Sequence, residues 1–208
     1  MTTARDPVLA RSIDALAMPG ILIDHRLISP GDELALLPAE LGAFANSVVK
    51  VRQASGAARL VVRTLLPQLG HVYQAVPKAD TGAPIWPEDI VGSLAHDARV
   101  AVAAIARRRD FQSLGVDVEP AEPLDADLLD LVATPGERRR LAEDPCRGRL
   151  LFTVKEAVYK AVHPLDGVFL EHHDVEVDLP SQTAAVRGGR SVSFRFSAST
   201  HIVVLAFL

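Results

Sequence analysis

The sequence predicts an α+β fold made of two mixed halves, and three observations carry that prediction. Leu151, Val154, Val158 and Ala161 recur at helical spacing, which makes the stretch around them an amphipathic helix with one face in a core. Val100 to Ala106 is a run of small apolar residues that reads as a buried strand, and Gly115 to Glu119 alternates with period two. Ser191 to Phe196 and His201 to Leu208 read as the strands of a closing hairpin. Helices and small antiparallel sheets are thus expected on both sides of a boundary near residue 112, without a clear sequence repeat.

In chain order, Ile21-Leu22-Ile23 and Leu27-Ile28 are expected as short strands separated by a turn near Asp24-His25. Leu34 to Leu37 is an apolar patch, and Pro38-Ala39-Glu40 suits a helix start. The pattern is helical from there to Gly70, where a glycine suits the stop. His71 to Val76 is expected as a strand, Lys78 to Pro87 as a loop, and 107–110 as a polar turn. After a strand from Ser113 to Glu119, helices are expected over 125–133, 136–143 and 149–162. The last is stopped by His163-Pro164 and followed by a turn at Leu165-Asp166-Gly167. Val175 to Leu179 is a further strand.

With 208 residues, 49% apolar and 23% charged, the chain can bury a sizeable core and reads as globular. A net charge of −4 argues against a nucleic-acid binder. The lone Cys146 excludes an internal disulfide framework and lacks an evident activating base. No apolar run is long enough to cross a bilayer, and acids and arginines among the first residues do not suit a signal peptide. A soluble cytoplasmic protein is expected.

Charge is segregated. Lys50 to Lys78 contains bases and no acids, and within it Arg52, Arg59 and Arg63 share one helix face. Asp117 to Asp130 contains acids and no bases. The first stretch could hold a phosphate and the second a metal; each could equally be a solvated face.

In Gly115-Val116-Asp117-Val118-Glu119, period two places Asp117 and Glu119 on one face of a strand, with Val116 and Val118 packed beneath. Two such carboxylates repel unless a cation or proton lies between them. With Glu156 they form a set of hard oxygen donors suited to Mg²⁺, whereas zinc would want His or Cys. The plainer alternatives are a strand edge kept soluble by acids and, for Glu156, an ion pair with Lys160 or a capping box with Thr153. His172-His173-Asp174 has no helical ligand spacing and reads as a solvated loop. His25, His71, His163 and His201 have no partner visible in sequence, and Trp86 reads as a packing anchor.

The GVDVE strand, followed by Phe152-Thr153-Val154-Lys155-Glu156-Ala157-Val158-Tyr159-Lys160, resembles the paired signature of the 4′-phosphopantetheinyl transferases. That signature runs G-[VI]-D-x-E, then [WF]-[ST]-x-K-E-A-x-x-K. Pro84-Ile85-Trp86-Pro87 and Val91-Gly92-Ser93-Leu94-Ala95-His96 resemble the upstream motifs of the long, enterobactin-type branch. Arg59 and Arg63, with Leu69-Gly70, fall where that branch has its G-R-x-x-A-R…L-G helix. The chain departs from the pattern at Ala54-Ser55, Thr81 and Ala95, all towards the nucleotide end.

The resemblance implies a pseudo-dimer of two similar halves, 1–112 and 113–208, with coenzyme A in the cleft between them. Asp117, Glu119 and Glu156 would ligate Mg²⁺ at the pyrophosphate. Lys155 and Lys160 would contact phosphate oxygens, with Lys160 steadying the charge that builds as the anhydride breaks. His96 and Arg59 would bind the 3′-phosphate or its neighbours, helped by Arg52 and Lys78. Glu156 or a metal-bound water would take the proton from the serine of an acidic apo carrier protein. That carrier would dock on exposed apolar and basic side chains of a monomeric enzyme. The rivals are a Mg²⁺-dependent hydrolase of nucleotides or coenzyme A, and a coenzyme A-binding module without catalysis.

Overall fold

Alternating apolar positions build two antiparallel sheets in the computed structural model, which describes residues 5–141 and 146–208. In the first sheet, β1 (Ile21–Leu27) and β2 (Ile90–His96) flank β3 (Val100–Arg107). In the second, the order is β4 (Leu114–Pro120), β8 (His201–Phe207), β7 (Arg190–Ala198), β6 (Thr183–Val186) and β5 (Val175–Asp178).

One face of each sheet packs on the other. Val100, Val102, Ala104 and Ala106 of β3 share a core with Leu114, Val116 and Val118 of β4 and with Val203 and Leu205 of β8. The alternate residues of the same strands point outward to helices. Ala103 and Ile105 pack against Val61 and Val62 of α3 (Val49–Leu65). Ile202, Val204 and Ala206 pack against Val154, Ala157, Val158 and Ala161 of α6 (Cys146–Asp166). The result is a helix–sheet–sheet–helix stack. Gly115 permits the closest of these approaches, because a Cβ there would lie 1.8 Å from the Ala157 carbonyl oxygen.

Shorter helices complete the chain: α1 (Pro7–Asp14), α2 (Pro38–Leu41), α4 (Ala126–Val132) and α5 (Pro135–Arg140). Helix α1 was not foreseen, although Asp6-Pro7 is a start signal. The Asp6 side chain accepts the Val8 and Leu9 N–H groups, with Pro7 at the first helical position. Helices α4 and α5 occupy the expected places, while the end of the 136–143 expectation falls at residues outside those described.

The structure corrects four expectations. First, β1 runs straight through Asp24-His25 instead of turning there. His25 is fully buried; its Nε2 accepts the Asp6 N–H at 3.1 Å and its backbone N–H donates to Asp24 Oδ1 at 2.7 Å, while its Nδ1 has no hydrogen-bond partner among the described residues. Second, the helical pattern from Pro38 to Gly70 is interrupted: α2 ends at Leu41 and α3 starts only at Val49. Third, the segment from His71 to Val76 forms no strand, because its peptide groups bond to side chains. The Val76 N–H donates to Glu40, and the Val76 and Gln74 carbonyls accept from Arg59 and Arg63. Fourth, α6 continues through Pro164 to Asp166 and stops at Gly167, which has φ +69° and whose N–H reaches the His163 carbonyl at 2.9 Å. Strand β6, only four residues long, carried too little pattern to be seen in sequence.

Candidate active site

Strand β4 and helix α6 bring the three expected carboxylates towards one another. Asp117 and Glu119 follow Gly115 on the face of β4 that meets α6, opposite Val116 and Val118. Asp117 Oδ1 accepts from Lys160 Nζ at 2.7 Å, and the same ammonium reaches the Val116 carbonyl at 3.3 Å. The other oxygen, Asp117 Oδ2, is buried without a hydrogen-bond partner among the described residues. Burial holds the Asp117 carboxyl above the usual carboxylate range, with the Glu156 charge pushing the same way and Lys160 opposing. Glu119 is also raised, first by burial and then by the Asp117 charge, while Arg149 opposes through Nη1 at 3.0 Å from Oε2. Glu156 is lowered, chiefly by its hydrogen bond with His172 Nε2 at 3.2 Å.

Asp117 thus feels the Glu156 charge and Glu119 the Asp117 charge, and each of the three acids has a separate basic partner: Lys160, Arg149 and His172. The described residues contain no ready cage of three His, Cys, Asp or Glu donors. The orphaned Asp117 oxygen and the mutual repulsion of the carboxylates are nevertheless what a hard divalent cation would relieve.

Lys155 requires a correction. The polar side of α6 was expected to present it to phosphate together with Lys160. Instead Lys155 is 1% exposed, and its ammonium donates to the Val132 carbonyl, Glu137 Oε2 and the His172 carbonyl at 2.8, 2.7 and 2.8 Å. All three of its protons are committed, so it braces α4, α5 and the 172–174 turn against α6 and has none left for a phosphate. Glu137 was missed, although Thr134-Pro135-Gly136-Glu137 is a capping box, with the Thr134 N–H reaching Glu137 Oε2 at 2.8 Å. The alternative of a capping box from Thr153 to Glu156 does not form, since the Thr153 hydroxyl donates to the Arg149 carbonyl inside the helix. His172 turns out to belong to the site rather than to a solvated loop; no spacing in the sequence pointed to Glu156 as its partner.

In the N-terminal half, Arg59, Lys78 and His96 border one cavity of about 150 Å³ with Phe44 and Ser55. Arg59 and Lys78 both stand over the Phe44 ring, at 4.9 and 5.7 Å from its centroid. The cavity shares Gly82, Pro84 and Leu94 with a larger one of about 430 Å³, bordered by Trp86 and Ser93 from one half and by Tyr159, Lys160 and His163 from the other. Burial lowers the His96 pKa, and the Lys160 charge lowers it further. Arg52 borders neither cavity. Arg63 lies beneath, bonded to Glu40 and stacked over Tyr73 at 5.0 Å. The face read as free of acids therefore receives a carboxylate from α2. Ala95 is buried in the core between the sheets.

Residues 39–106 match the profile of the 4′-phosphopantetheinyl transferase N-terminal domain, and residues 113–204 match that of the 4′-phosphopantetheinyl transferase superfamily. The chain is 35% identical over 175 residues to the 4′-phosphopantetheinyl transferase Npt of Nocardia iowensis, covering 83% of this chain and 79% of that protein. The chain belongs to the 4′-phosphopantetheinyl transferase superfamily. It is also 35% identical to the 4′-phosphopantetheinyl transferase Svp of Streptomyces mobaraensis, over 86% of this chain and 80% of the relative. Enterobactin synthase component D of Escherichia coli (strain K12) is 31% identical over 108 residues, about half of each chain (48% and 50%). The two matched regions face one another across the larger cavity.

Proposed function

We propose that this transferase moves 4′-phosphopantetheine from coenzyme A to a serine of an apo acyl or peptidyl carrier protein, releasing adenosine 3′,5′-bisphosphate. One observation carries the reading: Lys160 borders the cavity that adjoins the Arg59, Lys78 and His96 cradle while bonding to Asp117. Cations suited to a nucleotide thus adjoin, through Lys160, the acids proposed for a metal-bound pyrophosphate. In the proposed division, residues 1–112 supply the nucleotide contacts and 113–208 the carboxylates and α6.

Asp117, Glu119 and Glu156 would hold Mg²⁺, an all-oxygen set of the kind that ion takes, and when bound it supplies charge neutralisation at the pyrophosphate. Arg59, Lys78 and His96 hold the 3′-phosphate, whose negative charge favours protonation of a histidine that burial otherwise keeps neutral. The serine oxygen attacks the phosphorus next to the pantetheine arm, and the bond from that phosphorus to the adenosine-side phosphate oxygen breaks. Lys160 turns from Asp117 to the phosphate oxygens as charge builds on the leaving group, and Glu156 takes the serine proton. Transfer of this kind depends on positioning and charge neutralisation more than on a strong base. Lys155 acts at one remove, by fixing the segment that carries His172.

Leu131 and Phe169, each 66% exposed, are the apolar contacts proposed for the carrier, with nearby basic residues meeting its acidic surface. Both sides of the larger cavity come from one chain, which supports action as a monomer. A single cysteine suits a reducing cytoplasm, and no helix among the described residues is long and apolar enough to cross a membrane.

The test is to incubate the protein with coenzyme A, Mg²⁺ and a panel of apo carriers and to weigh the products. A phosphopantetheine adduct on a carrier serine is the expected result. Nucleotide release that needs no carrier would point to a hydrolase instead, and binding of coenzyme A with no product would leave only a binding module.

A further inference from the structure

Glu40 is fully buried, and none of the transferase motifs contains it. Its Oε1 accepts the Val76 N–H at 2.7 Å and lies 3.6 Å from Arg59 Nε. Its Oε2 accepts the Leu37 N–H at 2.8 Å, and Arg63 Nη2 bonds to both oxygens. Val76 passes the constraint onward, because its carbonyl accepts from Arg59 Nε at 2.9 Å. Arg63 pins the same segment through the Gln74 carbonyl at 3.3 Å and anchors it to the Ala35 carbonyl at 2.8 Å. One carboxylate therefore fixes both Arg59 and the 74–78 segment that carries Lys78, two of the three basic groups around the small cavity.

The charge balance points the same way. Two guanidiniums share one carboxylate, and the bonds from Arg63 occupy both of its oxygens, so positive charge remains in excess where Arg59, Lys78 and His96 meet. With the carboxylate removed, two buried guanidiniums would repel and the Val76 peptide would lose its acceptor.

We propose that Glu40 is a positioning residue which, by holding Arg59 and the Lys78 segment in place, makes the small cavity selective for a phosphomonoester, here the 3′-phosphate of coenzyme A. The inference rests on the transferase reading above. Its effect should appear in discrimination between donors rather than in the chemical step.

The test uses the full chain carrying Glu40→Gln and, since that change strands buried guanidiniums, a second variant with Glu40→Met and Arg63→Met together. Transfer kinetics are measured with coenzyme A and with 3′-dephospho-coenzyme A, and calorimetry compares adenosine 3′,5′-bisphosphate with adenosine 5′-monophosphate. The wild type should favour the donor and the nucleotide that carry the 3′-phosphate. Each variant should lose about tenfold or more of that preference, through KM and Kd, with kcat at saturation little changed. Folded variants that keep the wild-type preference would overturn the proposal. So would an equal loss with both donors, which would mean that Glu40 serves the fold alone. A wild-type protein that modifies no apo carrier would instead overturn the transferase reading itself.

Discussion

The carboxylate cluster at one end and the Arg59, Lys78 and His96 cradle at the other handle charge in opposite ways. At the carboxylate end, Asp117, Glu119 and Glu156 each have their own basic partner, and the pairs with Lys160 and His172 are partly open to solvent. At the other end, Arg59 and Arg63 share the buried Glu40, and their bonds to backbone carbonyls leave little freedom. In the proposed function, the first end exchanges partners, its acids releasing their cations when substrate arrives. The second is a rigid cradle that keeps an excess of positive charge. Mutations should therefore act differently at the two ends and, within α6, at Lys155 and Lys160.

The largest effect on turnover is expected for Glu156→Gln, which should abolish transfer in the mass assay while leaving the melting temperature nearly unchanged. Lys160→Gln should lower kcat by about a hundredfold, the scale of losing one group that stabilises transition-state charge, again with little effect on stability. Lys155→Met should reverse that pattern. It strands the buried Glu137 carboxylate, at a cost of about 3–5 kcal/mol, which corresponds to roughly 10 °C in Tm for a chain of this size. If Lys155→Met melted like the wild type, the brace described for that residue would be wrong.

Asp117→Asn should separate function from stability more gently. Burial raises the Asp117 pKa in the folded protein above the ordinary 3.8, so the folded state holds its proton more tightly than the unfolded state does. Stability should therefore fall as pH climbs from the ordinary value through the raised one and stay lower beyond it. Asparagine has no such proton to lose. Thermal denaturation of the metal-free variant should show a flatter pH dependence and a higher Tm at neutral pH, together with lost transfer. The smallest effect is expected for His172→Gln. It removes the hydrogen bond that holds Glu156 low, so the Glu156 pKa should rise and the acid limb of the kcat/KM profile should move to higher pH.

How far the sequence could be read follows from the same geometry. Period two along Gly115 to Glu119 and period 3.6 along α6 identified the packed faces of β4 and α6, because both patterns record which face meets a core. Lys155 was misread because neighbours on a helix point about 100° apart, so a residue next to Glu156 need not share its surroundings. Glu40 and His172 act through tertiary contacts, with Arg63 and with Glu156, that no local pattern records. The segment after Gly70 has strand-like residues, yet its hydrogen bonds go to Arg59, Arg63 and Glu40, a competition visible only once the chain is folded. The layered architecture was legible in outline, since Val100 to Ala106 is apolar throughout and proved to be buried on both faces.

The central claim is that Asp117, Glu119 and Glu156 act as one unit on a metal-bound pyrophosphate. Thermal stability measured across a Mg²⁺ titration, at fixed saturating coenzyme A, tests it most directly. The wild type should gain stability with each increment of Mg²⁺ as the bound state is filled, whereas Asp117→Asn and Glu156→Gln should not respond. A Mg²⁺-dependent gain that persists undiminished in both variants would contradict the account.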